Sequence, residues 1–151
     1  MDVYAKLKEL NITLPPRPPI GGIYTPVRQV GNLLYLSGQI AAKDGVPFFP
    51  GKLGSTVTVE QGQEAARLCA VNALSHLHHF LGDLNKVKGL VKTLAFVQSA
   101  EGFNQQPVVV NGASGLFREI WGEDGVGARS AIGVNELPRG VSVEIEFIFE
   151  I

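Results

Sequence analysis

The sequence has 151 residues, of which 45% are hydrophobic and 18% are charged, and its formal net charge at pH 7 is −1. These values predict one soluble globular domain over residues 1–151, and the near-neutral charge argues against a surface built to bind nucleic acid. The single cysteine, Cys69, excludes an intrachain disulfide, and neither a signal-like start nor a membrane-length apolar run is present, so we expect a cytoplasmic protein.

The first forty residues predict a short helix, a connector and a β-hairpin. Tyr4, Leu7 and Leu10 recur at helical spacing, and the stretch after them, LPPRPPIGG, favours an extended connector. Two extended runs, 24–30 and 33–40, then flank the turn pair Gly31-Asn32. Residues 1–19 are therefore expected to form an N-terminal extension ahead of the hairpin, and the Gly- and Pro-rich residues 41–58 are expected to form a long loop.

The next segment predicts a long helix. Thr58 and Gln61 have the spacing of a capping box, in which each side chain pairs with the backbone N–H of the other residue. Small and apolar residues then recur every three or four positions, at Ala66, Ala70, Ala73, Leu77 and Leu81, and Gly82 supplies a stop. The alanines on this face favour close packing against a sheet.

The second half of the chain predicts a strand, a second long helix and two more strands. The strand covers residues 87–97 and the helix covers 108–121, although Gly112 and Gly115 disfavour helix. The remaining strands, 130–134 and 141–151, are separated by the turn NELPRG and are expected to pair as a hairpin. The order β-β-α-β-α-β-β predicts an α+β fold with both long helices on one face of a sheet.

The last strand alternates between two kinds of side chain. Apolar residues occupy Val143, Ile145, Phe147 and Phe149, whereas the positions between them include Glu144, Glu146 and Glu150. Because successive side chains of a strand point to opposite faces, one face belongs to the core and the other is acidic.

Arg129 precedes the first strand of the expected terminal hairpin, where an unpaired guanidinium would be costly to bury. If Val134 pairs with Val141, Arg129 lies opposite Glu146 and diagonal to Glu144 on the polar face. Two interpretations follow. The arginine either forms a structural cross-strand salt bridge, or it binds a carboxylate that arrives from outside.

Three stretches of the chain, in order, resemble motifs of a known family. They are VGNLLYLSGQI, VVVNGASGLF and GARSAIGVNELPRGVSVEIE. Together they resemble the YjgF/RidA family of reactive intermediate deaminases, formerly grouped with perchloric-acid-soluble endoribonucleases. The resemblance implies a chorismate-mutase-like fold, in which a sheet carries two long helices on one face and the chain assembles as a homotrimer with clefts between subunits.

The resemblance also implies roles for five residues. Arg129 would bind the substrate carboxylate, and the backbone N–H of Ala131 would add a hydrogen bond. Glu144 would position the water that attacks the imine carbon. Tyr24 and Asn111 match further substrate-binding residues of the family. Each role is implied by a motif match at that position of this sequence.

The implied reaction is the hydrolysis of a 2-imino acid to a 2-oxo acid and ammonia, with no metal or organic cofactor. A planar guanidinium suits the carboxylate of such a substrate, and the electrophilic imine carbon needs only a positioned water and proton transfer. Two other interpretations remain open. One is a non-catalytic protein that binds small carboxylates such as 2-oxo acids; the other is a ribonuclease or translation inhibitor, which the lack of a basic, aromatic surface disfavours.

The N-terminal extension and the loop 41–58 exceed the compact family pattern and resemble a longer-chain branch. Phe48 and Phe49 in that loop are expected to shape the cleft. The histidines at positions 76, 78 and 79 lack a nearby third metal ligand and are expected to be solvated or to cap the helix. Cys69 is expected to fill core space.

Overall fold

The computed structural model of the protein describes residues 2–151. Its helices are α1 (Val3–Glu9), α2 (Val59–Leu81) and α3 (Gln106–Trp121). Its strands are β1 (Val27–Val30), β2 (Leu33–Ile40), β3 (Ala42–Lys43), β4 (Val46–Pro47), β5 (Gly89–Gln98), β6 (Ala128–Val134) and β7 (Val143–Glu150). Short 3-10 turns occupy Leu84–Lys86, Gly122–Gly125 and Pro138–Gly140.

Five strands form one sheet in the order β1-β2-β7-β5-β6, and the two long helices pack against one of its faces. All neighbours are antiparallel except β5 and β6, which are parallel. The predicted α+β class and the hairpin around Gly31-Asn32 are confirmed, since Val30 pairs with Leu33. The loop 41–58 is more ordered than expected because β3 and β4 form a small hairpin of their own.

The predicted boundaries of α2 are confirmed by both of its caps. The Thr58 hydroxyl accepts a hydrogen bond from the Gln61 N–H at 3.1 Å, and the Gln61 side chain accepts one from the Thr58 N–H at 3.0 Å. At the other end Gly82 has a φ of 74°, a left-handed conformation that costs glycine little. Local sequence signals therefore start and stop this helix as predicted.

The predicted terminal hairpin is wrong. Strand β6 pairs with β5 in parallel, and β7 lies on the other side of β5. Arg129 is opposite Thr93, which in turn is opposite Phe147, so the arginine lies on the core face of the sheet. Glu144 and Glu146 lie on the other face. The reason is the crossover: α3 carries the chain back over the sheet, which allows β6 to run parallel beside β5.

The alternation predicted for the last strand is confirmed. Val143, Ile145, Phe147 and Phe149 are buried, and the glutamates between them lie on the opposite face. Phe117 of α3 meets Phe147 and Phe149 edge-on, with ring centroids 5.1 Å and 5.3 Å away. Cys69 is fully buried, as expected for a core residue. None of the helices in residues 2–151 meets the length and hydropathy that a bilayer crossing requires.

The N-terminal extension packs along α2 and contributes to the core. Val3 and Leu7 are buried. The Tyr4 hydroxyl is 2.9 Å from Nδ1 of His78, and it accepts a hydrogen bond from the Leu84 N–H at 2.9 Å. These contacts hold the start of the extension against the end of α2, and the Pro15 carbonyl accepts a hydrogen bond from Oγ of Ser75 one turn earlier on the same helix.

Gly112 allows α2 and α3 to approach each other. A Cβ atom at this position would lie 2.0 Å from the backbone carbonyl oxygen of Gln63 on α2. At Gly115, on the next turn of α3, an added Cβ would meet nothing within 4 Å. The two glycines that weaken the helical signal therefore differ: Gly112 is required by helix packing, and Gly115 is not.

We expect Gly112→Ala to lower the free energy of unfolding by about 1–3 kcal/mol, because α2 and α3 must move apart. The matched variant Gly115→Ala should raise it by about 0.5–1 kcal/mol, because alanine favours the helical backbone and finds open space. Urea unfolding followed by circular dichroism measures both values. Equal effects of the two substitutions would contradict the close helix contact.

Candidate functional site

Arg129 extends from β6 toward α3, where three oxygen atoms hold its guanidinium. Nη1 donates hydrogen bonds to Oδ1 of Asn111 at 2.9 Å and to Oγ of Ser114 at 3.2 Å. Nη2 donates to the carbonyl oxygen of Pro107 at 3.3 Å. Residues 107, 111 and 114 are four and three positions apart, so helical geometry places them on one face of α3. The side chain is fixed before any ligand arrives.

Two donors of Arg129 remain after these contacts. A guanidinium has five N–H groups, and the three hydrogen bonds leave the Nε–H and one N–H on Nη2. Within residues 2–151 no carboxylate lies within salt-bridge distance of Arg129. The interpretation of Arg129 as a cross-strand salt bridge is therefore wrong for a single chain. A carboxylate that binds an arginine through both of its oxygens accepts two N–H groups, and two N–H groups remain here.

The backbone N–H of Ala131 lies at the open edge of the sheet. The carbonyl of Val134 accepts a hydrogen bond from the Ser99 N–H at 3.0 Å, so it points toward β5. The direction of backbone groups alternates along a strand, and Ala131 is an odd number of residues away. Its N–H therefore points away from β5, and β6 is the last strand of the sheet. Arg129 and this N–H form what we call the arginine edge, together with Asn111 and Ser114.

A second region contains the other predicted residues. A cavity of about 960 Å³ lies between the N-terminal extension, α2, the end of β2 and the β3–β4 hairpin. Tyr24 and Glu144 both line it, as does Phe48 of the loop expected to shape the cleft. Arg129 and Asn111 do not line it. Within one chain the predicted residues therefore form two separate groups. Tyr24 and Glu144 line the cavity, and the other predicted residues lie at the arginine edge.

Glu144 is half-buried at the edge of this cavity. Burial, and secondly the negative charge of Glu146, raise the pKa of its carboxyl group. The structure gives it no hydrogen-bond or ion-pair partner within residues 2–151. Space for the side chain depends on Gly38, because a Cβ atom there would lie 2.3 Å from Oε1 of Glu144. A half-buried acid with a raised pKa and no partner is typical of a group that transfers protons.

Sequence reasoning missed the residues that support these two groups. Ser114 lies in the predicted second long helix, and its spacing of three residues from Asn111 places both on one helical face, which is the signal that could have found it. The contact of Gly38 with Glu144 joins neighbouring strands, and no local signal in the sequence predicts that approach.

The family model described as "YjgF/chorismate mutase-like, putative endoribonuclease" matches residues 5–149. The chain belongs to the YjgF/RidA family. Among its relatives, Trypanosoma cruzi protein TCP17 is 40% identical over 99% of this chain and 94% of its own length. The 2-iminobutanoate/2-iminopropanoate deaminase of Dermatophagoides farinae is 30% identical over 91% of this chain and 92% of its own length.

Solved structures divide into close and distant members of this family. The Agrobacterium tumefaciens protein Atu1372, described as having unknown function, is 43% identical and superposes with a TM-score of 0.90, covering 99% of this chain and 91% of that one. RidA from an Antarctic Psychrobacter is 25% identical with a TM-score of 0.58, covering 91% and 94%. The YjgF/RidA fold is shared with both, but the detailed arrangement is much closer to that of Atu1372.

We expect Glu144→Gln to raise the melting temperature at neutral pH. The raised pKa means that the folded state binds a proton more tightly than the unfolded state. Stability therefore falls as pH rises from the ordinary glutamate pKa, about 4.3, through the raised value. Glutamine does not ionise, so the variant does not lose stability in this way. The increase in melting temperature should therefore be complete above the raised pKa of Glu144 and absent below the ordinary glutamate pKa.

Thermal unfolding of both proteins at several pH values measures this difference. Glu101→Gln is the control, because Glu101 is exposed in the turn after β5. A melting-temperature difference for Glu144→Gln that did not change with pH would contradict the electrostatic origin.

Proposed function

We propose that this protein hydrolyses 2-imino acids to 2-oxo acids and ammonia without a cofactor. Arg129 binds the substrate carboxylate, and the Ala131 N–H adds a hydrogen bond to it. Tyr24 and Asn111 complete the binding site, and Glu144 handles the attacking water. Family membership supports this reaction class, as does the likeness to the Dermatophagoides farinae deaminase.

The proposal rests on one observation: Arg129 is held by hydrogen bonds and lacks a carboxylate partner in the part of the chain that the structure describes. Its guanidinium is oriented by Asn111, Ser114 and Pro107, yet it retains two donors and has no carboxylate partner within residues 2–151. No ion pair within residues 2–151 explains why these residues hold the guanidinium in place. A carboxylate ligand would supply the missing charge and accept both remaining N–H groups.

The chemistry assigned to Glu144 requires a carboxyl group that both accepts and donates a proton. The carboxylate takes a proton from water while the water oxygen forms a bond to the carbon of the protonated imine, whose C=N π electrons move to nitrogen. In the resulting amino alcohol the carboxylic acid returns that proton to nitrogen, and the C–N bond breaks as the C=O bond of the 2-oxo acid forms. The hydroxyl proton passes to the departing ammonia, which leaves as ammonium. A raised pKa brings the two protonation states of Glu144 closer in energy near neutral pH.

The separation of the two groups supports a site built from two subunits. Arg129 lies on the core face of the sheet and Glu144 on the opposite face. That opposite face carries exposed apolar side chains at Val30, Tyr35 and Ile132, whose exposed fractions are 59%, 43% and 45%. These side chains lie on β1, β2 and β6, which include both edge strands of the sheet, and a second subunit that covered the face would remove them from water. A homotrimer that covers this face would bring the arginine edge of one subunit to the cavity of its neighbour.

A non-catalytic carboxylate-binding protein is the second candidate. It is favoured by the TM-score of only 0.58 with RidA, which shows that the arrangement of this chain differs from that of RidA. The arginine edge would serve this function equally well. A ribonuclease is disfavoured, because a net charge of −1 gives little attraction for a phosphate backbone.

Arg129→Lys tests the proposed carboxylate site, because lysine keeps the charge and loses the planar fork. We expect kcat/KM for 2-iminobutanoate to fall by about thirtyfold to several thousandfold, the range for losing a hydrogen-bonded charge pair. Glu144→Gln should abolish turnover and leave 2-oxobutanoate binding intact. A coupled assay that generates the imine in situ measures turnover, and calorimetry measures binding.

Arg118→Lys is the matched control, since Arg118 is an exposed residue of α3 that pairs with Glu123. It should leave both activity and binding unchanged. Full activity in Arg129→Lys and Glu144→Gln would refute the proposed site. Carboxylate binding that depends on Arg129, without turnover in the parent protein, would favour the binding-protein alternative.

We expect a homotrimer in solution, with three times the chain mass by light scattering at micromolar concentration. Ile132→Glu should weaken it, because a charge on the uncovered sheet face must be desolvated on association. Phe80→Glu is the control, since this residue is 46% exposed at the end of α2, away from that face. A monomeric parent protein would contradict the two-subunit site.

A further inference from the structure

His76 is buried beside the cavity with part of its hydrogen-bonding capacity unused. Only 5% of the residue is exposed, and Nδ1 is enclosed without a hydrogen-bond partner. The expectation that this histidine is solvated or caps a helix is therefore wrong. His76 lines the cavity. Its Nε2 is not enclosed as Nδ1 is, and it has no hydrogen-bond partner within residues 2–151. Nε2 is therefore the ring nitrogen available to a ligand.

The imidazole of His76 is neutral at physiological pH. Burial, then the positive charge of Arg17, then His79 lower its pKa to about 4. A neutral imidazole carries one N–H, and enclosing an N–H without a partner costs more than enclosing a lone pair. The proton therefore belongs on Nε2, which makes His76 a hydrogen-bond donor toward the cavity.

Arg17 supplies a charged donor in the same cavity. The residue lines it, and no acidic side chain of residues 2–151 forms an ion pair with it. Prolines on both sides stiffen the segment. The carbonyl of Pro15 accepts a hydrogen bond from Oγ of Ser75 at 2.8 Å, which anchors this segment next to His76. Arg17 and His76 thus form a pair of donors, which we call the distal pair.

The cavity between the distal pair and Glu144 is large and has apolar walls. Its volume of about 960 Å³ lies at the upper end of the range for sites that hold drug-sized ligands. A 2-imino acid with only three or four carbons would leave most of it empty. Ile12, Phe48, Leu68 and Val71 contribute apolar surface, which suits a methylene chain.

The other charged groups that line the cavity nearly balance. Lys43, Arg67 and Arg139 are cationic, and Asp44 and Glu64 are anionic. Arg67 is already paired with Glu119 at 2.9 Å. Selectivity for an anion therefore depends on the local donors of the distal pair and not on a general positive field.

We propose that the substrate is a long 2-imino dicarboxylic acid whose second carboxylate binds Arg17 and His76. Its methylene chain lies along the apolar wall, and its imine carbon lies at Glu144. The assignment of the reacting end rests on the proposed deaminase function. Binding of the second carboxylate by the distal pair depends only on the cavity.

The experiment compares a long dicarboxylic substrate with a short one. A broad-specificity amino-acid oxidase generates 2-iminoadipate or 2-iminobutanoate in situ, and semicarbazide traps the imine that the protein has not hydrolysed. Calorimetry measures the binding of the unreactive products 2-oxoadipate and 2-oxobutanoate. We expect 2-iminoadipate to have the higher kcat/KM and 2-oxoadipate to bind at least about tenfold more tightly.

Arg17→Gln and His76→Phe should each remove this preference and leave the short compounds unaffected. The loss should be about tenfold or more for each, as for a hydrogen bond to a charged group. Arg17 is in an exposed segment, so its variant keeps the fold even if the His76 variant does not. Lys8→Gln is the control, because Lys8 is an exposed cation of α1 that does not line the cavity.

The outcomes separate the two proposals. Equal turnover of both imines, unchanged by Arg17→Gln, would overturn the dicarboxylate proposal and leave the deaminase function standing. Binding of 2-oxoadipate through the distal pair, with no imine turnover, would overturn the deaminase function and support the dicarboxylate site. If 2-oxoadipate bound no more tightly than 2-oxobutanoate, the distal pair would have no role in ligand binding.

Discussion

The parallel pairing of β5 with β6 decides which residues Arg129 contacts. Parallel neighbours need a crossover, and here α3 is that crossover, so β6 begins directly beneath the helix that precedes it. Arg129 therefore meets Asn111 and Ser114 and no glutamate of β7. The tight contact of α3 with α2 at Gly112 fixes the helix, and through it the guanidinium.

The same sheet separates the groups that the proposed reaction needs. Glu144 lies on the face without helices, where burial raises its pKa, and Arg129 lies on the face with helices. A single chain thus holds an oriented cation without an anion and a half-buried acid without a partner. Burial of the unpartnered Glu144 carboxyl reduces stability above its pKa, and both arrangements are expected where a ligand or a neighbouring subunit completes a site.

The N-terminal extension forms one side of the cavity. Its anchored proline segment closes one side of the cavity and brings Arg17 near His76 on α2. The TM-score is 0.90 with Atu1372 and 0.58 with RidA, so the arrangement of this chain is closer to that of Atu1372. The proposed dicarboxylate site depends on the contacts that the extension makes beside α2.

Sequence alone determined the features that depend on neighbours along the chain. The capping box at Thr58, the stop at Gly82 and the two faces of β7 follow from spacing, and each is confirmed. The order of the predicted elements indicated the α+β class, and the family motifs indicated the candidate residues. Only the tertiary structure decided the strand order, the partners of Arg129 and the burial of His76. These depend on contacts between residues distant in sequence, and the pattern of a single strand is the same whichever strand lies beside it.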